Sequence, residues 1–117
     1  MDHTIKSIDN RLYRGYRIIS GKEGINVNKL LLDAIKIFLE TNKKGIKKYS
    51  LPEDVIEREL TIKNIPDDVF KKLEAAAAAE ENIDVDDLIL NALYEYVFDK
   101  EVEYRKELLN IEEDDFH

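Results

Sequence analysis

Side chains able to make or break bonds are sparse in this sequence. It has no cysteine, which excludes a thiol nucleophile, a disulfide framework and a Cys-ligated zinc. Its two histidines, His3 and His117, lie near the ends. Carboxylates are abundant but scattered along helical faces, where solvation accounts for them, and no glycine-rich phosphate loop or metal-ligand spacing is present. The expectation is a protein without enzymatic activity or a cofactor. What recurs instead is a pair of hydrogen-bonding side chains, a threonine and a lysine two residues apart. "TIKSID" begins at Thr4, and "TIKNIPDD" begins at Thr61, 57 residues later. In an extended segment that spacing puts Thr4 and Lys6, or Thr61 and Lys63, on one side, with Ile5 or Ile62 on the other.

The recurrence extends well past the two phrases. At an offset of 57, Ile5 matches Ile62, Ile8 matches Ile65 and Leu12 matches Val69. After one extra residue in the second copy the offset is 58, and Ile25 matches Ile83, Val27 matches Val85, Leu30 matches Leu88, Ala34 matches Ala92 and Phe38 matches Tyr96. Apolar matches kept in register over such a length point to one supersecondary unit used twice.

Each copy must supply the elements that hold its Thr-x-Lys pair. Period-two alternation, with Leu60 and Ile62 opposing Glu59, Thr61 and Lys63, predicts a short strand with one buried face. A helix start follows: Asp9 can cap in the first copy, and Pro66-Asp67-Asp68 supplies a proline and an acidic first turn in the second. Leu12, Tyr16 and Ile19, and then Val69, Phe70 and Leu73, recur at helical spacing. "AAAAA" at 75–79 is favourable helix filler. Gly21 and Gly24 are expected to stop the first helix and Asn82 its counterpart. Asn26 and Asp84 then cap a second helix. Its apolar face reads Leu30, Leu31, Ala34, Ile35 and Phe38 in one copy, and Leu88, Ile89, Ala92, Leu93 and Tyr96 in the other.

The first copy thus spans residues 1–40, a linker 41–58, the second copy 59–98, and a helical extension with an acidic tail 99–117. A lone strand leaves its amides unpaired, and helices this apolar cannot stand alone. The expected fold is mainly α with a short two-stranded antiparallel ribbon, formed within one chain or between two. Gly45 and Pro52 break the linker, while Val102, Tyr104 and Leu108 offer contacts for an extended last helix before the acidic "IEEDDFH" end.

Net charge is −8, yet residues 1–49 hold 11 lysines and arginines against 5 carboxylates, and residues 50–117 hold 7 against 21. The first copy is basic and the second acidic. Affinity for a polyanion follows the local density of cations rather than the sum over the chain. No apolar run reaches membrane-spanning length, and the start lacks the long apolar stretch of a signal peptide. A soluble cytoplasmic protein with no membrane partner is expected, and no small-molecule pocket is evident.

Strand, capped helix, Gly- or Asn-containing turn and amphipathic second helix, with "LTIKNIPDDV" and "NIDVDDLILNAL" as wording, resemble the ribbon-helix-helix family, the MetJ/Arc/CopG class. Two copies in one chain look like the tandem arrangement of some archaeal viral regulators, which would make the host cell interior its setting. The resemblance implies a single-chain pseudo-dimer that inserts its β-ribbon into the major groove of double-stranded DNA. It implies base contacts from Thr4, Lys6, Thr61 and Lys63. It also implies phosphate contacts at the start of the second helix, from Asn26, Val27, Asn28 and Lys29. There the second copy reads Asp84, Val85, Asp86, Asp87, and its carboxylates repel phosphate. Glu59 and Asp2 are likewise unhelpful, except toward a cytosine amine. Copy one is expected to dominate.

Lys43, Lys44, Lys47 and Lys48 add phosphate contacts or form a solvated linker. Arg11, Arg14 and Arg17 share a face that follows the DNA backbone or meets water. A sequence-specific transcription regulator occupying an operator as a repressor, and self-associating further, is the leading expectation. The alternative is a protein-interaction module, antitoxin-like, whose acidic half binds a basic partner. A purely structural assembly protein would show no preference among DNA sequences.

Overall fold

The computed structural model describes residues 1–41, 46–51 and 53–103, without the side chains of 101–103. Lys43, Lys44, Gly45, Pro52, Tyr104, Leu108, the acidic end and the Val102 side chain therefore lie outside the described residues. The elements run β1 (His3–Asp9), α1 (Asn10–Glu23), α2 (Val27–Thr41), β2 (Glu57–Ile62), α3 (Asp67–Ala78) and α4 (Val85–Glu103). The described residues are mainly helical, with four helices and one two-stranded antiparallel sheet, whose strands belong to the same chain. No helix among the described residues is long and apolar enough to cross a membrane.

The strands pair around a central couple. Thr4 lies opposite Thr61, with Ile5 against Leu60 on one side and His3 against Ile62 on the other. The register then slips before Ile8 meets Arg58, so Lys6 and Ser7 together face Glu59. This bulge has a consequence for burial. Strict alternation from Ile5 would turn Ile8 outward, but the extra residue returns it to the core, where it is as buried as Ile5. The backbone of Met1 pairs with Ile65 in both directions at 2.8 Å, beyond the slip at the other end of the ribbon.

The local signals act where the sequence puts them. The Asp9 side chain caps α1 by accepting from the Arg11 amide at 2.9 Å. Gly24 ends α1 in the left-handed region at φ 67°, and Asn82 takes the same conformation at φ 61° after α3. Gly21 does not stop the helix, contrary to expectation. It sits inside α1, where a glycine costs only about 1 kcal/mol. Pro66 is the N-cap of α3 and offers no side-chain cap, leaving Asp67 and Asp68 to meet the first turn.

The core lies between the inner ribbon face and the helices. Matched positions are buried together: Leu12 with Val69, Tyr16 with Leu73, Leu30 with Leu88, Leu31 with Ile89, Ala34 with Ala92 and Ile35 with Leu93. Each large aliphatic or aromatic side chain taken out of water contributes about 1.5–3 kcal/mol. Among the helices α2 packs most extensively on α4, while α1 and α3 pack chiefly on those two. The Tyr16 hydroxyl, fully buried, donates to the Leu93 carbonyl at 2.8 Å. The linker is held too. Asn91, buried in α4, accepts from the Lys47 amide at 2.9 Å and donates to the Lys47 carbonyl at 2.7 Å, and the Tyr49 ring stacks on Tyr94 at 4.5 Å.

Candidate nucleic-acid interface

The outer ribbon face carries the four side chains singled out from the strands. Thr4, Lys6 and Lys63 are exposed and Thr61 is half-buried. The hydroxyls of Thr4 and Thr61 are 2.8 Å apart and hydrogen-bond across the ribbon. Lys6 sits in the bulge and Lys63 follows the last residue of β2, so the two ammonium groups lie on either side of the threonine pair. The face is not purely cationic. Asp2, Glu57 and Glu59 are exposed as well. Asp2 accepts from the Asn64 amide at 3.0 Å and Glu57 from the Ser7 hydroxyl at 3.3 Å. Arg58 turns away and lies over the Tyr13 ring, 3.6 Å from its centroid.

The start of α2 is joined to the far strand. The Asn28 side chain accepts from the Lys63 amide at 2.8 Å and donates to the Lys63 carbonyl at 2.9 Å. A residue singled out for phosphate thus holds the backbone of one singled out for bases, 35 positions away. Asn26 caps the helix by accepting from the Lys29 amide at 2.8 Å. Val27 is half-buried against the core. Lys29 is exposed and pairs with Asp33 one turn on at 3.3 Å, a solvent-screened contact of at most about 1 kcal/mol. Among the described residues nothing accepts from the amides of Val27 and Asn28. Two first-turn donors therefore point outward at the positive end of the helix, as an anion requires.

The matching start of α4 differs in charge: Asp86 and Asp87 lie in its first turn, where α2 has no carboxylate. Asp84 accepts from the Asp87 amide at 2.9 Å, and Asp87 accepts from the Asp84 amide at 3.1 Å. The amides of Val85 and Asp86 are as open as those of Val27 and Asn28, but the carboxylates of Asp84, Asp86 and Asp87 surround them and repel a phosphate. Lys48 adds its ammonium to Asp87 at 3.3 Å and to the Asn82 carbonyl at 3.1 Å, so this linker lysine is engaged inside the protein. Asp86, the counterpart of Asn28, accepts from His3 Nε2 at 2.5 Å, and the His3 ring leans on Phe70.

Arg11, Arg14 and Arg17 are all exposed along α1. Arg11 grips Asp9 at 2.9 Å. Burial raises the Asp9 carboxyl, but the Arg11 side-chain and amide hydrogen bonds and the guanidinium charge outweigh it, leaving the pKa below the ordinary value. Among the described residues no group of three or more His, Asp or Glu could hold a metal ion. What the surface can do chemically is donate hydrogen bonds and present charge.

Long-range connections such as Asn28 to Lys63, His3 to Asp86 and Asn91 to Lys47 are not legible in the sequence. Each joins residues more than 30 positions apart. Only Asn91 left a trace, as an amide on an otherwise apolar helix face. No protein-family model matches this chain, and comparison with curated proteins and with solved structures found no similar protein.

Proposed function

We propose that the chain is a tandem ribbon-helix-helix protein, a single-chain pseudo-dimer, that regulates transcription by occupying a specific DNA operator. The observation that carries this reading is the pairing of Thr4 with Thr61 at the centre of an antiparallel ribbon, with Lys6 and Lys63 on either side of the outward face. A two-stranded ribbon fits the major groove, about 12 Å wide. In that pose each lysine donates to guanine O6 and N7, and each threonine meets a base edge or a thymine methyl. The open amides of Val27 and Asn28, with Lys29 beside them, take a backbone phosphate next to the Lys63 end of the ribbon. The carboxylate-capped start of α4 takes none, so the grip on DNA is one-sided. No catalytic step is assigned, and the setting is the cytoplasm.

The test is a fluorescence-anisotropy titration against DNA from upstream of the gene and against scrambled DNA, at two salt concentrations. The reading expects a preference of about 10³ or more, with affinity falling as salt rises. Equal binding to both DNAs, or none, refutes it. That result favours a protein-interaction module, whose acidic second half would bind a basic partner.

A further inference from the structure

The two copies present opposite charge at matched places. Arg11 of α1 corresponds to Asp68 of α3, Arg17 to Glu74 and Lys22 to Glu80, and all six are exposed. Arg14 and Lys71 are the matched pair that keeps its sign. The same face of the repeated unit is therefore basic in one copy and acidic in the other. α1 carries four cations against one carboxylate, and residues 67–81 carry two lysines against five carboxylates. Glu23 is already bound to Lys100 at 2.6 Å and Arg11 to Asp9 at 2.9 Å, so Arg14 and Arg17 are the cations on which the docking rests.

These two faces do not neutralise each other within one molecule. α1 and α3 each pack chiefly on α2 and α4 rather than on one another. Because both faces are built on the same strand–helix–helix frame, they have related shape as well as opposite sign. We propose that the α1 face of one molecule docks on the α3 face of a second copy of this chain. The partner is another copy because the complement of each face is found on the chain itself. The contact joins two different surfaces, so it runs head to tail. A head-to-tail contact of this kind builds a ring where the rotation closes and an open filament where it does not.

Charge supplies the specificity, so the association depends on salt. The electrostatic range is about 30 Å at about 0.01 M salt and about 3 Å at about 1 M. The experiment is sedimentation velocity on the full chain, without DNA, across that range. The native protein is expected to self-associate at low salt and to run as a monomer at high salt. Two charge-reversed proteins make the test specific. Arg14→Glu with Arg17→Glu gives a molecule with two acidic faces, and Glu74→Lys with Glu80→Lys gives one with two basic faces. Each alone is expected to be monomeric at low salt, and an equimolar mixture to associate again. Lys36→Glu, an exposed reversal on α2, is expected to leave native association unchanged.

All the altered side chains are exposed, and circular dichroism checks that the fold is kept. A native protein that is monomeric at every salt concentration overturns the proposal. So does a mixture that fails to associate, or self-association that either double reversal leaves intact. Should a reversed protein not fold, the native salt dependence still decides, since salt-insensitive association also refutes charge-directed docking. With DNA absent, failure here leaves the operator reading standing, and failure of operator binding leaves this proposal standing.

Discussion

Thr4 and Thr61 hold the same place in the two copies and face each other across the ribbon, their hydroxyls 2.8 Å apart. The repeat offset and the strand register meet at this couple. A residue matched to its own cross-strand neighbour marks the local twofold centre of an antiparallel pair. Lys6 and Lys63 are then matched residues on opposite sides of that centre. Their surroundings differ: Lys6 shares a bulge with Ser7 opposite Glu59, whereas the Lys63 backbone is clamped by Asn28.

Lys6→Ala and Lys63→Ala separate the two ends of the ribbon. A lysine reading a base contributes about 1–3 kcal/mol of discrimination, so each substitution is expected to weaken operator binding by about 5- to 150-fold. The loss should relax sequence preference at one position of the site. The sequence alone favours the first copy, and so Lys6, but Lys63 is held by Asn28 beside the start of α2, the proposed phosphate site, and is expected to show the larger loss. Anisotropy with single-base-changed operators measures this, and a uniform loss on all DNAs would mean that the lysine meets phosphate instead.

Glu59 stands across the ribbon from Lys6 and Ser7 and is exposed. Removing its charge with Glu59→Gln is expected to raise DNA affinity about two- to fivefold, the scale of a surface charge interaction. The gain should vanish at high salt. Weaker binding by this variant would show that Glu59 accepts from a cytosine amine.

Asn28→Ala removes both hydrogen bonds to the Lys63 backbone. The expected cost is about 1–2 kcal/mol by urea unfolding, with faster exchange of the Lys63 amide hydrogen. Asn26→Ala is the control. It removes the α2 cap at about 0.5–2 kcal/mol while leaving Lys63 exchange slow. Equal exchange in the two variants would mean that Asn28 does not join the helix to the ribbon.

Much of this architecture is legible in the residues because it is local or periodic. The matched buried positions from Leu12 and Val69 to Ile35 and Leu93 follow from helical spacing alone. Asp9 caps and Gly24 turns because of what their own side chains permit. The bulge is harder to read. Its one sign is that Ile5 and Ile8 are three apart, out of phase for a flat strand yet both buried. Gly21 misleads because a glycine is tolerated inside a helix that Gly24 ends three residues later. Asn28, His3 and Asn91 were opaque because their partners are fixed by tertiary packing, which brings together residues 35, 83 and 44 positions apart.

Asn91 ties the linker to α4 through both polar groups of the Lys47 backbone, and it also donates to the Asp87 carbonyl at 2.7 Å. Asn91→Ala strands the Lys47 amide and carbonyl, at an expected cost of about 1–3 kcal/mol. Freed from α4, the segment should be cut faster by trypsin after Lys47 and Lys48. Unchanged cleavage under native conditions would assign the hold to the Tyr49–Tyr94 stack instead.

Tyr16 gives a prediction with a pH sign. Burial, and then the neighbouring Tyr96, push its phenol well above the ordinary tyrosine value, and it remains a donor to the Leu93 carbonyl. In the unfolded chain the same phenol ionises near pH 10. Below that pH both states hold the proton, and the stabilisation is fully present. As pH rises further, the unfolded state releases the proton before the folded state does, so stability falls. Tyr16→Phe is expected to cost about 0.5–1.5 kcal/mol at neutral pH for the lost hydrogen bond. Having no phenol to ionise at this position, the variant should lose less stability than the native protein above pH 10. The gap between them should narrow there in urea melts. A constant gap across that range would mean that the Tyr16 hydroxyl reaches water in the folded state.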